Sequence, residues 1–430
     1  MPLSSNASAL SAGNPPAAGS QAGPPGRVGG TLLQQLGRGA LVALAGLVLL
    51  TGCASTEQKQ GPRLTGNLMV DGPLSIEQGP PRDKVLWEYR TAAGTMRQGK
   101  FDLAKQYLDD ALLSLGGTIG KDKNARQARG YFHAEAKKTF IGEPYERSMA
   151  YIYRGILYWM DGEPDNARAC FRSAELADSD TENHQYAGDW VLPDYLDGFA
   201  SVKLGGDGSD AFKRAEAASR NVKLPPYNPK ANVLFFIEFG PGPVKYASGE
   251  YSEQLRFHYS PSPVLGATVK VDAFTFPVAP TDDVGFQATT RGGRVMDHIL
   301  GNKAVFKSAT DIAGNVGIMG GAATLLAGGG HNSTVNQVGV GLLAAGILSK
   351  VVSAATTPEA DTRAWDNLPR YLSFASLPLT PGSHTVTVEF QDAGGRVLPQ
   401  FTKNLTVQVP ADGKDKVIFI SDQSITPQNI

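Results

Sequence analysis

The chain has 430 residues, 41% of them hydrophobic and 19% charged, with a formal net charge of −1, a profile that supplies apolar material for two or three globular domains. Its 40 basic side chains are balanced by 41 acidic ones and do not cluster, which argues against a general nucleic-acid binder, because neutralising phosphates needs a basic patch. Two cysteines, Cys53 and Cys170, and the absence of an HExxH spacing argue against a zinc site.

Residues 1–36 are rich in Pro, Gly, Ala and Ser and carry a single charge, a composition that predicts disorder. They make a long preamble to the apolar run beyond them, which suggests a true start nearer Thr31. From Arg38 to Cys53 the chain reads RGALVALAGLVLLTGC: a basic residue, an uncharged core, small residues and a cysteine, the layout of a secretory signal. The apolar run falls short of the roughly 20 residues of a membrane span. Leu50-Thr51-Gly52-Cys53 resembles the lipobox of bacterial lipoproteins. That resemblance implies acylation of Cys53, a mature chain that starts there, and attachment to a membrane through the lipid. It also implies transfer to the outer membrane, since a small neutral residue, Ala54, follows the cysteine. With Cys53 lipidated, Cys170 has no partner for an intrachain disulfide and reads as a small buried residue on a helix. Residues 1–52 are therefore expected to be a signal peptide with a disordered extension, and 53–82, polar and rich in Pro and Gly, a flexible tether.

Residues 83–222 carry a helical pattern. WEYRTAAGTMRQGKFDLAKQYLDDALLSL sets Ala92, Gly99, Phe101, Ala104, Leu108 and Ala111 at offsets that lock two antiparallel helices. YIYRGILYWMDGEPDNARACFRSAELA repeats the arrangement with Gly155, Tyr158, Gly162, Ala167, Phe171 and Ala174, and a third copy carries Gly206, Ala211, Ala215 and Ala218. These segments resemble tetratricopeptide repeats. Pro164 stands where that pattern has an aromatic residue, and the copies are spaced more widely than the repeat's usual period.

LPPYNP, residues 224–229, ends the helical pattern. Beyond it lies a first β part, 231–290: NVLFFIEF at 232–239 reads as a strand buried on both faces, with further strands expected at Glu253–Tyr259, Ala267–Phe274 and Val284–Thr290. A second β part, 357–422, alternates, with Val386, Val388 and Phe390 on one face and Leu405, Val407 and Val409 repeating the pattern. Val417–Ile420 is the last strand, and 423–430 a tail. Such alternation predicts a sheet with one dry face and a β-sandwich-like closure. Between the two parts, residues 291–356 read as a helical hairpin, uncharged from Ile312 to Ser349. Gly317 and Gly321 on its first helix, and Gly341 and Gly346 on its second, imply close helix packing, since glycine costs about 1 kcal/mol against alanine in a helix. Insertion of the pair into a bilayer beside the lipid is one reading. Packing on the chain's own β part is favoured by Asn315, Asn336, Gln337 and Lys350, which interrupt the apolar surface.

None of the six histidines has a metal-ligand or triad companion at a recognisable spacing. Gly339 to Ala344 fits a loose dinucleotide pattern with Glu359 beyond it, but without the flanking strands that the fingerprint requires. The most specific stretch is ADTRAWDNLP at 360–369, followed by a strand and LPLTPGSHTVTV. It resembles a group of uncharacterised bacterial lipoproteins that join helical repeats to a β-rich half. Asp361 and Arg363 are expected to bond a turn that Trp365 staples to the core; the alternative is a ligand-binding loop with Arg363 and Trp365 as contacts.

The expected fold is thus multidomain α plus β, a TPR-like helical domain followed by a β-sandwich-like domain with the Gly/Ala-rich hairpin inserted. The expected role is that of a non-enzymatic, lipid-anchored scaffold with protein partners in the envelope. It needs no cofactor, metal or nucleic acid, and is compatible with a homo-oligomer. The alternatives are a secretion-channel component that oligomerises through the hairpin and a binder of cell-wall carbohydrate.

Overall fold

The computed structural model describes residues 61–119, 139–179, 187–219, 224–258, 260–290 and 360–424; the lipobox and the Gly-rich hairpin, with Cys53, Gly317, Gly321, Gly341 and Gly346, lie outside them. The fold is mixed α plus β. Helices come first: α1 (Leu68–Gln78), α2 (Lys84–Arg97), α3 (Phe101–Ile119), α4 (Pro144–Met160), α5 (Pro164–Asp178), α6 (Leu192–Lys203) and α7 (Ser209–Ala218).

Three antiparallel pairs, α2/α3, α4/α5 and α6/α7, follow one another, and α1 packs on the first. The second helix of each pair buries small and apolar residues at helical spacing: Ala104, Leu108 and Ala111; Ala167, Phe171 and Ala174; Ala211 and Ala215. Gly155 on α4 lets the Phe171 ring approach so closely that a Cβ there would stand 2.6 Å from it. Gly162 makes the turn into α5 with φ of 79°, a left-handed value that glycine adopts without strain. Pro164 then occupies the first turn of α5, where its missing N–H costs nothing.

Among the described residues the strands form two four-stranded sheets and a ribbon. β1 (Val233–Pro241) lies in the first sheet between β10 (Lys416–Ser421), parallel to it, and β7 (Pro369–Leu377), antiparallel, with the short β6 (Asp282–Asp283) at the far edge. The second sheet, wholly antiparallel, runs β5 (Phe274–Val278), β4 (Gly266–Val271), β8 (Gly382–Gln391), β9 (Lys403–Val409). β2 (Val244–Ser248) and β3 (Gln254–His258) pair as a ribbon.

Strand β1 is buried on both sides because it divides two cores. Val233, Phe235, Ile237 and Phe239 face the second sheet, meeting Val269, Val388, Phe390 and Val407. Leu234 and Phe236 face the helices with Leu372, Phe374, Val417 and Phe419. The alternation expected of β8 and β9 is present: Val386, Val388, Phe390, Val407 and Val409 are buried, and the residues between them are more exposed.

Two expectations fail. Val284–Thr290 is not a strand but carries α8 (Val284–Thr289). Val284, Phe286 and Ala288 alternate as in a strand, yet the buried set is Val284, Gly285, Gln287 and Ala288, at helical offsets, and Asp283 caps the helix by accepting the Phe286 N–H at 3.1 Å. The polar stretch expected to be a tether up to residue 82 contains α1. Asn67 accepts the Met69 N–H at 3.0 Å as its cap, and buried Asp71 gathers the Thr65 hydroxyl and the Thr65 and Gly66 N–H groups. Composition hid this helix, because its stability comes from capping and from packing against α2.

Candidate functional site: the buried polar joint

Charged side chains sit inside the layer between the helices and the first sheet, and the 360–368 segment crosses that layer. Glu146, in the first turn of α4, has a side chain with 0% exposure, and Lys245, on the inward face of β2, has 1%. Glu146 Oε2 accepts from Lys245 Nζ at 2.6 Å and from the Glu143 N–H at 2.6 Å. Its Oε1 accepts from the Trp365 N–H at 2.7 Å. Lys245 Nζ also donates to the Arg363 carbonyl at 3.0 Å and lies over the rings of Phe140 and Tyr145. Burial pushes the Glu146 carboxyl up and the Lys245 ammonium down, each towards its neutral form, and their contact opposes both shifts.

The three residues singled out in the sequence meet here. Arg363 donates to Asp361 at 2.6 Å and 2.9 Å and to Asp83, at the N-terminus of α2, at 2.6 Å. Its guanidinium also lies over the Phe140 ring. Trp365, with 0% exposure, stacks on Tyr89 with ring centroids 4.4 Å apart and meets Tyr153 edge-on at 5.8 Å. Arg90 of α2 grips the same segment, donating to the Ala364 carbonyl at 2.8 Å and to Asp366 at 2.9 Å, and Asn367 returns a bond to the Arg90 carbonyl. Asp361 thus bonds Arg363 within its own segment, Arg363 reaches Asp83 at the start of α2, and Trp365 packs on Tyr89 and Tyr153 of the helices.

Three more contacts fasten the helices to the sheet. Glu238, the acid within the apolar run of β1, accepts from Arg97 Nε at 2.6 Å and from the Tyr153 hydroxyl. Arg97 reaches on to Gln423 at 3.0 Å. Asp415, just before β10, accepts from Trp159 Nε1 at 3.0 Å and from Lys203 Nζ at 2.6 Å. Asp282 accepts the Val191 and Leu192 N–H groups at 2.9 Å and 2.7 Å, satisfying backbone donors at the start of α6. Burial lifts its pKa to about 7 against the pull of those two N–H groups.

The chain matches no protein-family model, no curated protein and no solved structure.

Among the described residues no group of three or more His, Cys, Asp or Glu could hold a metal ion, and no helix is long and apolar enough to cross a membrane. Cys170 is half-buried on α5, and burial pushes its thiol up to about 11, the opposite of what a nucleophile needs. His384 is held by Asp272 at 2.6 Å and by the Thr380 carbonyl at 2.8 Å, and these bonds raise its pKa.

Sequence reasoning singled out Asp361, Arg363 and Trp365 but not Glu146, Lys245, Glu238 or Arg97. Two of the omissions carried a signal. An acid inside an otherwise apolar strand, as in NVLFFIEF, must find a partner when it is buried, and Glu143 and Glu146 stand at the spacing of a helix-capping box. Lys245 and Arg97 carried none, since long basic side chains are ordinary on an exposed face.

Proposed function

We propose that this chain is a lipid-anchored scaffold of the bacterial outer membrane, on its periplasmic side, that holds protein partners and performs no chemistry of its own. The helix pairs read as tetratricopeptide-like repeats, which stack to offer extended protein-binding surfaces, and the two facing sheets read as a β-sandwich-like body. The observation that carries the scaffold reading is the joint: ion pairs fasten the helical stack to the β part, buried at Glu146–Lys245 on the ribbon and at Arg97–Glu238 on the first sheet, and half-buried at Lys203–Asp415. Such a joint fixes the stack in one orientation, as a platform for assembly requires. The sequence LTGC at 50–53 supports the anchor.

Intact-mass analysis of the protein purified from its native membrane tests the anchor. A chain that begins at an acylated Cys53 is expected; an unmodified thiol, or a chain that keeps its first fifty residues, overturns it. Crosslinking in intact cells tests the scaffold, with discrete adducts to envelope proteins expected and none formed if the reading is wrong.

A further inference from the structure

Away from the joint, three arginines converge on one buried carboxylate. Asp197 on α6, 1% exposed, accepts from Arg168 Nε at 2.8 Å, from Arg172 Nε at 3.1 Å and from Arg214 Nη2 at 3.1 Å. Arg168 and Arg172 stand one turn apart on α5, and Arg214 reaches across from α7. Arg214 also binds Asp194, 3% exposed, through Nε at 2.8 Å. Two guanidiniums already give Asp197 the donors it needs, so the third is not required to satisfy it.

The arginines are oriented as well as gathered. Arg168 and Arg172 spend only their Nε–H groups on Asp197, so their terminal N–H pairs have no acceptor among the described residues. Their side chains are 32% and 58% exposed, and that of Arg214 is 51% exposed. The three guanidiniums are gathered at Asp197, their common partner. Partly exposed guanidiniums with unspent terminal N–H groups, anchored by buried carboxylates, are the kind of donor that binds phosphate oxygens in pairs. Leu176, one turn beyond Arg172 on α5, is 74% exposed and would lie beside any acyl chain attached to a bound headgroup.

We propose that Arg168, Arg172 and Arg214 form a binding site for a phosphate-bearing anion, presented either as a lipid headgroup or free in solution. The site stands apart from the joint and does not depend on the scaffold reading.

The test compares the full chain carrying Cys53→Ala with the same chain carrying Arg172→Gln in addition, so that the lipid anchor plays no part and only one guanidinium differs. Calorimetric titration with inorganic phosphate and pyrophosphate forms one arm, and flotation with phosphatidylglycerol vesicles against phosphatidylcholine vesicles the other. Saturable binding in either arm is expected, weakening as salt rises and falling by about tenfold, roughly 1.4 kcal/mol, in the Arg172→Gln protein. Binding in the first arm assigns a free anion, and binding in the vesicle arm alone assigns a headgroup. Arg172→Gln leaves two guanidiniums on Asp197, so its melting temperature should match that of its parent. If it unfolds, Arg172→Lys, which keeps the charge and removes the fork, takes its place and should also bind more weakly. No saturable binding in either arm, or equal binding by parent and variant, overturns the proposal.

Discussion

Between the two sheets, Val233, Phe235, Ile237 and Phe239 meet Val388, Phe390 and Val407 in a core built of apolar side chains. On the other face of the same strand, Leu234 and Phe236 share the layer with Glu238, which is tied to Arg97 and Tyr153. The sheet-to-sheet core relies on area removed from water and on close packing, which tolerate replacement by residues of similar volume. The helix-to-sheet layer adds buried charges that are stable only when each finds its own partner. One face specifies a shape, and the other also specifies which residues must meet.

The largest expected effect comes from breaking that pairing. Lys245→Met leaves the Glu146 carboxylate buried without its cation and should cost about 4 kcal/mol in urea unfolding. The double variant Lys245→Met, Glu146→Gln should recover more than half of the loss, because it removes the unpaired charge and keeps an acceptor for the Trp365 N–H. A double variant as unstable as the single would show that shape rather than charge pairing governs this face.

In the apolar core, Val407→Ala should cost about 2 kcal/mol through lost burial and a small cavity. Its effect should be the same in acid and at neutral pH, since no ionisable group belongs to that core. A pH-dependent loss would erase the contrast between the two faces.

The smallest expected effect is one of pH. Burial lifts Asp282 and Glu88, both on the helix side, to about 7, above their unfolded values. The stability they contribute is therefore complete below about pH 4 and is lost as pH rises through about 7. Melting temperatures measured from about pH 5 to about pH 8 should decline less in Asp282→Asn than in the parent protein. An identical slope would mean that Asp282 does not titrate in this range.

Much of the β architecture was legible because a strand's period of two exposes its dry face directly: Val386, Val388 and Phe390 announced theirs, and the continuous run of β1 announced two. The helix pairs were legible through Gly99, Gly162 and the small residues that follow them. Misreadings arose where the local signal was short. Six residues of α8 fit a strand as well as a helix until their surroundings are known, and α1 lies in a segment whose composition resembles a linker. Of the joint, Asp361, Arg363 and Trp365 could be named because an aromatic and a charged pair stand close together in one turn.

By itself the sequence determined the paired helices and the long strands β1, β8 and β9, with the side of each that turns inward, because periodicity, caps and turn residues act over a few positions. It did not determine that Trp365 would stack on Tyr89, that Glu146 would take its cation from Lys245, or that three arginines would gather on Asp197. Those pairings join residues far apart along the chain. A hydrophobic period says that a face is dry but not what lies across it, so only the tertiary structure decided which buried charge meets which.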